Sequence, residues 1–475
     1  MKTIHLIITF IAIISTAELY AQNNYELSNY KFPDVRREGL DLNFNSAGST
    51  IMVKPDSLQP KLGNFNAVVN LNYTHFFNTR REQRNTLASL NFSGYRLLED
   101  DGIKNTARDL AAKLSLQHNH LFFFNNLHYG GDLYLNYAYI NSKFSYGDTM
   151  YQSEEYHRNN VDFALPLKVG YGRIERVSDY RMAIYVYEDL KNNGKVNTNK
   201  SEADVMQLAS FISELKSERI YDHRLAKMKH LKALDTYLRE NNFLIETDID
   251  YFNILNDYWD YGFHALRTSG FMASAVFYPS YSTYHSRVNL EEQNADNKNK
   301  QNAVGLGGGV EIKYDKPINL SWQSNLFFNS YIGQTELSGD NYDSVNFKYP
   351  NYYAQLGHQI AWYPNTRTEL SLAYTLDYSA LLDGTNPETL QRNLEASVFT
   401  LNVRARLNYY FSDRLKAVIS AGLDQQLNES DQHVYSFKSL RNTFPLINRI
   451  SINDPFYIDR KFGLSYNLQL TYSIF

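Results

Sequence analysis

The most regular pattern in the chain is an alternation of apolar and polar residues on both sides of Ser412 and Asp413. Before this pair, seven apolar residues share one parity: Phe399, Leu401, Val403, Ala405, Leu407, Tyr409 and Phe411. After it, the alternation continues from Leu415 to Leu423. Because a strand sends successive side chains to opposite faces, each segment predicts a β-strand with one apolar face. Each segment is long enough to cross a membrane, so together they predict a hairpin of a transmembrane β-barrel.

Similar alternating segments recur in residues 39–173 and 263–475 and predict an antiparallel transmembrane β-barrel of about fourteen strands. Short and long links between the strands alternate strictly. The short ones are Asn78–Gln83, Asn125–Asn126, Asp315–Pro317, Pro364–Asn365 and Ser412–Asp413. Transmembrane barrels have short periplasmic turns and long outer loops, so the alternation predicts which end of the barrel faces the periplasm.

Residues 174–262 interrupt the barrel pattern with apolar residues at helical spacing. The clearest helix carries them at Val205, Leu208, Ala209 and Ile212. Ser201 and Asp204 have the spacing of a capping box at its start. The stretch occupies the place of a short link in the alternation. We therefore predict a periplasmic α-helical insert between the two parts of the barrel.

The N-terminus has the features of a secretory signal peptide. Lys2 supplies a positive charge, and a largely apolar stretch from Ile4 to Ile14 follows. Ala21 places a small residue at the end of the segment, which predicts a signal peptide of residues 1–21. Residues 22–38 are polar without a clear period. They are predicted to form a periplasmic tail or a small hatch that enters the lumen.

The composition favours a barrel over a helical membrane protein. The mean hydropathy is -0.47, as expected where half of every membrane strand is polar. The 39 Tyr and 28 Phe suit the aromatic belts found at membrane interfaces. The absence of Cys excludes disulfides and thiolate metal sites. The net charge of -4 gives no reason to expect a nucleic-acid partner.

The C-terminus carries a more specific signal. An alternating strand with apolar residues from Leu464 to Tyr472 leads to a terminal Phe475. This ending resembles the C-terminal signature of the Gram-negative outer-membrane β-barrel superfamily. The resemblance covers Gly39 to Phe475 without the insert, and it is architectural. It implies export by the secretory route, residence in the outer membrane of a Gram-negative bacterium and contact with outer-membrane lipid.

The polar faces of the predicted strands carry the charged groups that are candidates for ligand binding in the lumen. They are Arg404, Arg406, Glu369, Asp377, Lys168 and Asp132. One interpretation is a charged pore whose groups select solutes. The other is that opposite charges pair across neighbouring strands and hold the barrel in shape. If residues 382–393 close a regular hairpin, Glu369 lies beside Arg406. Arg404 has only Ser420 and Gly422 as nearest inward neighbours and is the better candidate for selectivity.

The chain offers few other chemical groups with functional spacing. His118 and His120 share a face, and we interpret them as interfacial residues rather than metal ligands. Asp248 and Asp250 are interpreted as acids at a helix N-terminus rather than calcium ligands. The Asn-rich stretch 294–302 is predicted to be an outer loop. No catalytic set can be assembled, so neither an enzymatic activity, a metal nor a cofactor is expected.

Two functions remain open from the sequence. The first is a channel or transporter for a small hydrophilic solute, with the helical module at its periplasmic exit. The second is a scaffold or assembly factor, in which residues 174–262 dock a periplasmic protein partner. A predicted helix over Asp222–Asn241 supports the second function through its basic residues, which are Arg224, Lys227, Lys229, Lys232 and Arg239.

Overall fold

The structure is a computed structural model. It describes residues 25–51, 61–100, 104–146, 152–218, 223–262, 266–290, 295–339, 347–381, 396–411, 415–430 and 460–472. The predicted signal peptide and the terminal Phe475 lie outside these residues. The described part of the chain forms fifteen strands in one antiparallel sheet and four α-helices between the seventh and eighth strands.

The strands account for most of the described residues. Their bounds are β1 Val35–Ile51, β2 Lys61–Asn78, β3 Glu82–Asp100, β4 Lys104–Phe124, β5 Leu127–Tyr146, β6 Gln152–Ala164, β7 Leu167–Arg176, β8 Thr268–Leu290, β9 Ala295–Pro317, β10 Trp322–Gly339, β11 Phe347–Trp362, β12 Thr368–Leu381, β13 Ala396–Tyr410, β14 Leu415–Ser430 and β15 Arg460–Tyr472. Apart from β6 and β7, each strand pairs with its neighbours in sequence, so the sheet is an up-and-down meander.

The strands β6 and β7 share one position in the sheet. Both lie between β5 and β8, and Leu165 and Pro166 interrupt what would otherwise be one continuous strand. Proline has no N–H to give to a strand ladder, which accounts for the break. Fifteen strands with one shared position give fourteen positions, and this agrees with the predicted barrel of about fourteen strands.

Several strands are longer than a membrane crossing requires. The strands β8 and β9 have 23 residues each, whereas a tilted transmembrane strand needs about 9–11. The predicted outer loop at 294–302 is therefore wrong in most of its length, because β9 already begins at Ala295. Its polar residues pair with β8 in a regular ladder from Leu290–Ala295 onward. Strand pairing does not require apolar side chains. The alternation of apolar and polar residues in the sequence therefore identified only the apolar part of the strand.

The helices are α1 Ser178–Asn192, α2 Glu202–Leu215, α3 His223–Glu240 and α4 Ile249–Tyr261. We call them together the helical module. The capping box at the start of α2 is present, since the Ser201 side chain accepts from the Asp204 backbone and the reciprocal bond also forms. The predicted apolar face of α2 is buried in the module core together with α1. No helix in the described ranges is both long and apolar enough to cross a membrane.

The segment before β1, which the sequence predicts to be a tail or a hatch, packs against the helical module. Leu27, Tyr30 and Phe32 are buried in the same core as α1 and α2. The ring of Tyr30 stacks on Tyr180 of α1 at 5.2 Å between centroids. The core of the helical module is therefore formed by the helices together with the segment that precedes β1.

Candidate functional site in the barrel interior and at its rim

The two faces of the sheet differ sharply in exposure. Along residues 163–171 every second residue is apolar and exposed: Phe163, Leu165, Leu167, Val169 and Tyr171. The intervening Ala164 and Lys168 are buried on the other face. In a single-layer sheet only the concave face allows side chains to bury one another, so the polar face is the inner one. The outer face keeps an apolar surface.

Lys168 lies at the centre of a buried ionic cluster on the inner face. Its Nζ is 2.7 Å from Oδ2 of Asp132 and 2.6 Å from Oε2 of Glu311. Each carboxylate also accepts a tyrosine hydroxyl, from Tyr134 and Tyr331 respectively. One ammonium group thus ties together the strands β5, β7 and β9, the last of which lies beyond β8 in the sheet. This is the arrangement that the structural interpretation of the inner charges expects for Lys168 and Asp132.

Asp377 is held in a second buried cluster. Its Oδ1 accepts from Gln355 Nε2 at 2.6 Å and from the Tyr353 hydroxyl at 3.3 Å, and its Oδ2 accepts from Asn402 Nδ2. Tyr353 stacks on Tyr331 with 6.3 Å between ring centroids. The two clusters therefore form one polar network along the inner wall, and Asp377 has little capacity left for a ligand.

The β12–β13 ladder corrects one predicted pair. Glu369 lies opposite Asn408, whose Nδ2 donates to Glu369 Oε2 at 2.9 Å. Arg406 lies opposite Ser371 instead. The predicted Glu369–Arg406 neighbourhood is wrong by two residues of register. A slip of two residues keeps every side chain on its predicted face, because the strand repeats every two residues.

Arg404 and Arg406 differ from Lys168, Asp132 and Asp377 because both are exposed. Gly422 and Ser420 of β14 lie directly opposite them, as the sequence predicts for Arg404. Neither arginine has an ion pair or a hydrogen bond with any residue in the described ranges. The structure thus leaves two adjacent guanidinium groups on the inner wall with their donors unused by that part of the chain.

The helical module is attached to the barrel rim near the first strands. Arg37 of β1 places Nη2 2.7 Å from Oδ2 of Asp179 in α1. The Asn78 side chain, at the β2–β3 link, donates to the backbone oxygens of Phe32 and Pro33. Arg80 in the same link pairs with Glu175 at 2.9 Å and also donates to the Phe32 carbonyl. These contacts fix the module core to the β1–β3 side of the rim.

A second set of contacts joins the module to the β9–β12 side. Arg367, in the β11–β12 link, pairs with Asp257 of α4 at 2.8 Å, and its guanidinium lies 3.8 Å from the ring centre of Tyr261. In α1, Arg181 lies over the ring of Tyr363 at 5.0 Å. The Tyr185 hydroxyl donates to the Leu320 carbonyl in the β9–β10 link. All these barrel residues are in short links.

Arg267 joins the module to the barrel from the inside of this interface. Its side chain is fully buried, and its guanidinium donates to the carbonyl oxygens of Asn319, Leu320 and Trp322, each at 2.6 Å. Its backbone N–H donates to Ser178 Oγ at the start of α1. One side chain therefore satisfies three carbonyls of the β9–β10 link and holds the module beside them.

The two attachment sides are far apart around the barrel. In the strand order, the β2–β3 link lies between positions two and three, and the β11–β12 link lies between positions ten and eleven. They are separated by eight of the fourteen positions, since ten minus two is eight. In a barrel this separation corresponds to opposite sides of the mouth, so the module lies across the end that carries the short links.

The histidines and acids that suggested a metal have other partners. His118 pairs with the Thr86 hydroxyl at 2.8 Å, and His120 Nε2 lies 2.6 Å from Oε1 of Glu82. Glu82 is on β3, so spacing along the chain did not reveal it. Asp248 accepts the Tyr251 N–H as the N-cap of α4 and pairs with Lys195. The described residues hold no group of three or more candidate metal ligands.

The predicted basic surface of α3 is largely neutralised by acids of the module. Lys227 pairs with Asp260 at 2.7 Å, Lys229 pairs with Glu218 at 2.7 Å, and Arg239 pairs with Asp235 at 3.0 Å. A docking site for an acidic partner would need these cations available. The charge argument for a partner on this helix is therefore weaker than the sequence suggests.

Comparison with known proteins gives matches of low similarity. No family model matches the chain, and neither does any curated protein sequence. Among solved structures, the chain is similar to the β domain of the Bordetella autotransporter Brka, with 7% identity, a TM-score of 0.27, and coverage of 73% of this chain and 93% of that one. It is also similar to a deltaS2 mutant of the TodX monoaromatic hydrocarbon channel, with 8% identity, a TM-score of 0.28, and coverage of 86% and 91%. A third similarity is to the FpvAI–pyocin S2 complex, with 8% identity, a TM-score of 0.30, and coverage of 84% and 57%. By its own strand order and alternation, the chain is an antiparallel β-barrel with a helical insert.

Proposed function

We propose that this protein is an outer-membrane channel or transporter for a small hydrophilic solute, gated by the helical module at its periplasmic mouth. The observation that carries the proposal is the attachment of the module to opposite sides of the rim, through Arg37–Asp179 and Arg367–Asp257. Because the helical module is held at two opposite points of the rim, it lies in the path of any solute that passes through this end of the barrel.

The membrane location is supported by the two faces of the sheet. An exposed apolar outer face and a polar inner face are what a barrel in lipid requires, because lipid solvates apolar side chains and water fills or lines the interior. The predicted signal peptide supplies the route of export. The short links and the module would then face the periplasm, and lipid would be the partner of the outer face.

The two attachments differ in strength, which supports a gate rather than a fixed plug. The Asp179 side chain is fully buried, whereas the side chains of Arg367 and Asp257 are 39% and 48% exposed. Exposed ion pairs contribute about 0–1 kcal/mol. The chain also enters and leaves the module next to β7 and β8. The β11–β12 link would therefore release first, while the buried contacts of Asp179 and Arg267 act as the hinge.

The gate is tested by locking the weaker attachment. The chain contains no Cys, so the double variant Asp257→Cys and Arg367→Cys carries the only two thiols. We expect planar-bilayer conductance of this variant to exceed that of the wild type, because the ion pair is lost. A short cross-linker with two methanethiosulfonate groups, which forms a disulfide with each Cys and releases methanesulfinate, should lower the conductance, and reduction should restore it. Each single variant, treated with the same reagent, is the matched control.

Two outcomes would contradict the proposal. Equal conductance with and without the cross-link would show that the module does not gate the barrel. A lack of conductance in the wild type and in the unlinked variant would exclude a channel and favour the scaffold function.

The scaffold function has its own supporting observation. Ile245, Ile249 and Phe252 are exposed apolar residues near the start of α4, and such groups of exposed residues often mark interaction surfaces. Under this alternative, Ile249→Asp should abolish capture of a periplasmic protein and leave any conductance unchanged. Under the channel proposal, the same variant should change neither gating nor transport.

A further inference from the structure

We infer that Arg404 and Arg406 form a binding subsite in the lumen for an oxyanion group, a carboxylate or a phosphate, of the transported solute. The two residues are two apart on β13, so both project from the same face about 7 Å apart along the strand. That spacing allows both guanidinium groups to reach one oxyanion. The inference rests on the proposed channel function, because the inner face is reached through the lumen.

The first support is that both cations remain available. They are exposed on the inner face and make no ion pair or hydrogen bond with the described residues. The carboxylates nearest to the two arginines by register do not pair with them. Glu369 accepts a hydrogen bond from Asn408, and Asp424 lies opposite Asn402. Lys168, which is buried between two carboxylates, shows what a structural cation looks like in this barrel.

The second support is the space around the two arginines. Directly opposite Arg404 are Ala373 on β12 and Gly422 on β14. The corresponding neighbours of Arg406 are Ser371 and Ser420. Residues directly opposite each other in an antiparallel pair share a face. The two guanidinium groups are therefore flanked on both sides by small side chains, which leave room for a ligand over them.

The chemistry of the ligand follows from the arginine side chain. A guanidinium group presents a planar fork of N–H donors that matches the two oxygens of a carboxylate or phosphate, and it stays charged at physiological pH. The hydroxyl groups of Ser371 and Ser420 add donors at the edge of the same surface. A chloride ion is attracted by the positive charge, but as a single atom it cannot match the planar fork of N–H donors as two oxygens do. We therefore expect the subsite to bind polyatomic oxyanions more tightly than chloride.

The test measures phosphate binding to the full-length protein in detergent by calorimetry, and reversal potential in a phosphate gradient across a planar bilayer. We expect Arg404→Gln and Arg406→Gln each to weaken phosphate binding about tenfold or more, because each removes charge-assisted hydrogen bonds. Both variants should shift selectivity toward cations. Arg404→Lys should keep the charge and lose part of the affinity, since it lacks the fork.

Two further variants separate the subsite from general electrostatics. Lys113→Gln removes an exposed cation on the inner face of β4, on another part of the wall. We expect it to leave phosphate affinity within about twofold of the wild type, as for a site that makes no contact with the ligand. Ser420→Asp places a carboxylate opposite Arg406. It should reduce phosphate binding to the level of Arg406→Gln without removing either arginine.

The outcomes distinguish this subsite from the channel function. Phosphate binding that depends on both arginines, in a protein without conductance, would keep the anion site and overturn the channel. Conductance with phosphate affinity unchanged in the Arg404→Gln, Arg406→Gln double variant would overturn the subsite and keep the channel.

Discussion

Arg37 of the first strand and Asp179 of the first helix form an ion pair, with Nη2 2.7 Å from Oδ2, and the Asp179 side chain is fully buried. The same carboxylate oxygen accepts the Ser213 hydroxyl of α2 at 2.5 Å. Lys216 Nζ lies 4.0 Å from the other oxygen. One carboxylate therefore connects the barrel, two helices and a second cation on the β1–β3 side of the rim.

We predict that Asp179→Asn strongly destabilises the module. The amide keeps the size of the side chain but removes the charge that compensates Arg37 and Lys216, and breaking a buried ion pair costs about 3–5 kcal/mol. The urea midpoint for protease resistance of the helical module should fall. Lys229→Ala, which breaks the exposed pair with Glu218, is the control and should cost at most about 1 kcal/mol. Equal effects of the two variants would contradict the role given to Asp179.

A second prediction concerns the pH dependence of stability through Lys216. Burial lowers the pKa of Lys216 to about 8, from 10.5 for a free side chain, although Asp179 opposes the shift. The folded state thus binds this proton less tightly than the unfolded state does. Between about pH 8 and pH 10.5 the unfolded state binds more protons, so stability should rise with pH, by about 3 kcal/mol at most.

The measurement compares the wild type with Lys216→Met across this window. The variant should be the more stable protein at pH 7, and the difference between the two should shrink as the pH rises above 8. Taking the difference removes the contribution of tyrosines that ionise at high pH. A difference that stays constant from pH 7 to pH 10 would show that Lys216 does not titrate in this range.

A third prediction concerns Arg267. Its guanidinium donates to three carbonyl oxygens of the β9–β10 link, and an ammonium group cannot reproduce that fork. Arg267→Lys should leave buried carbonyls unsatisfied, at about 1–3 kcal/mol for each lost partner. We expect faster proteolytic release of the module and a lower melting temperature. Arg239→Lys, at an exposed pair on α3, should change neither quantity measurably.

The faces of the strands were predictable from the sequence, but the partners across them were not. Alternation assigned Glu369 and Arg406 to the same inner face, and the structure agrees. The partner of Glu369 depended on where β12 ends and β13 begins, and nothing in the composition of residues 382–395 defines those two points. The link predicted at Ser412 and Asp413 is short and left less freedom, which is why Gly422 was correctly placed near Arg404.

The attachment of the module to the rim could not be predicted for a related reason. Arg367 and Asp257 are far apart in sequence, and each looks like an ordinary surface charge when read alone. Their pairing depends on how the module is oriented over the barrel, which no periodicity encodes. The helices themselves were predictable, because capping boxes and apolar spacing are local signals that tertiary packing did not override.

A fourth prediction concerns the side of the membrane on which the module lies. A protease site inserted between Thr198 and Asn199, in the exposed link between α1 and α2, should be protected in intact cells. A site inserted between β8 and β9 should be cut, because the strand ends that it joins, Leu290 and Ala295, lie at the end of the barrel opposite the module. Both sites should be cut in lysed cells. Cleavage of the first site in intact cells would place the module on the cell surface.

The last prediction tests the β12–β13 register on which the anion subsite depends. Directly opposite residues in an antiparallel pair have Cβ atoms about 4.5–5.5 Å apart, close to the spacing of a disulfide. The chain has no native Cys, so any bond formed is the engineered one. Glu369→Cys with Asn408→Cys should oxidise readily, whereas Glu369→Cys with Arg406→Cys should not. Thiol titration with mass spectrometry of the trypsin-digested protein reads out both pairs. Bonding of the second pair alone would restore the register in which Glu369 neutralises Arg406, and one of the two cations of the subsite would then be lost.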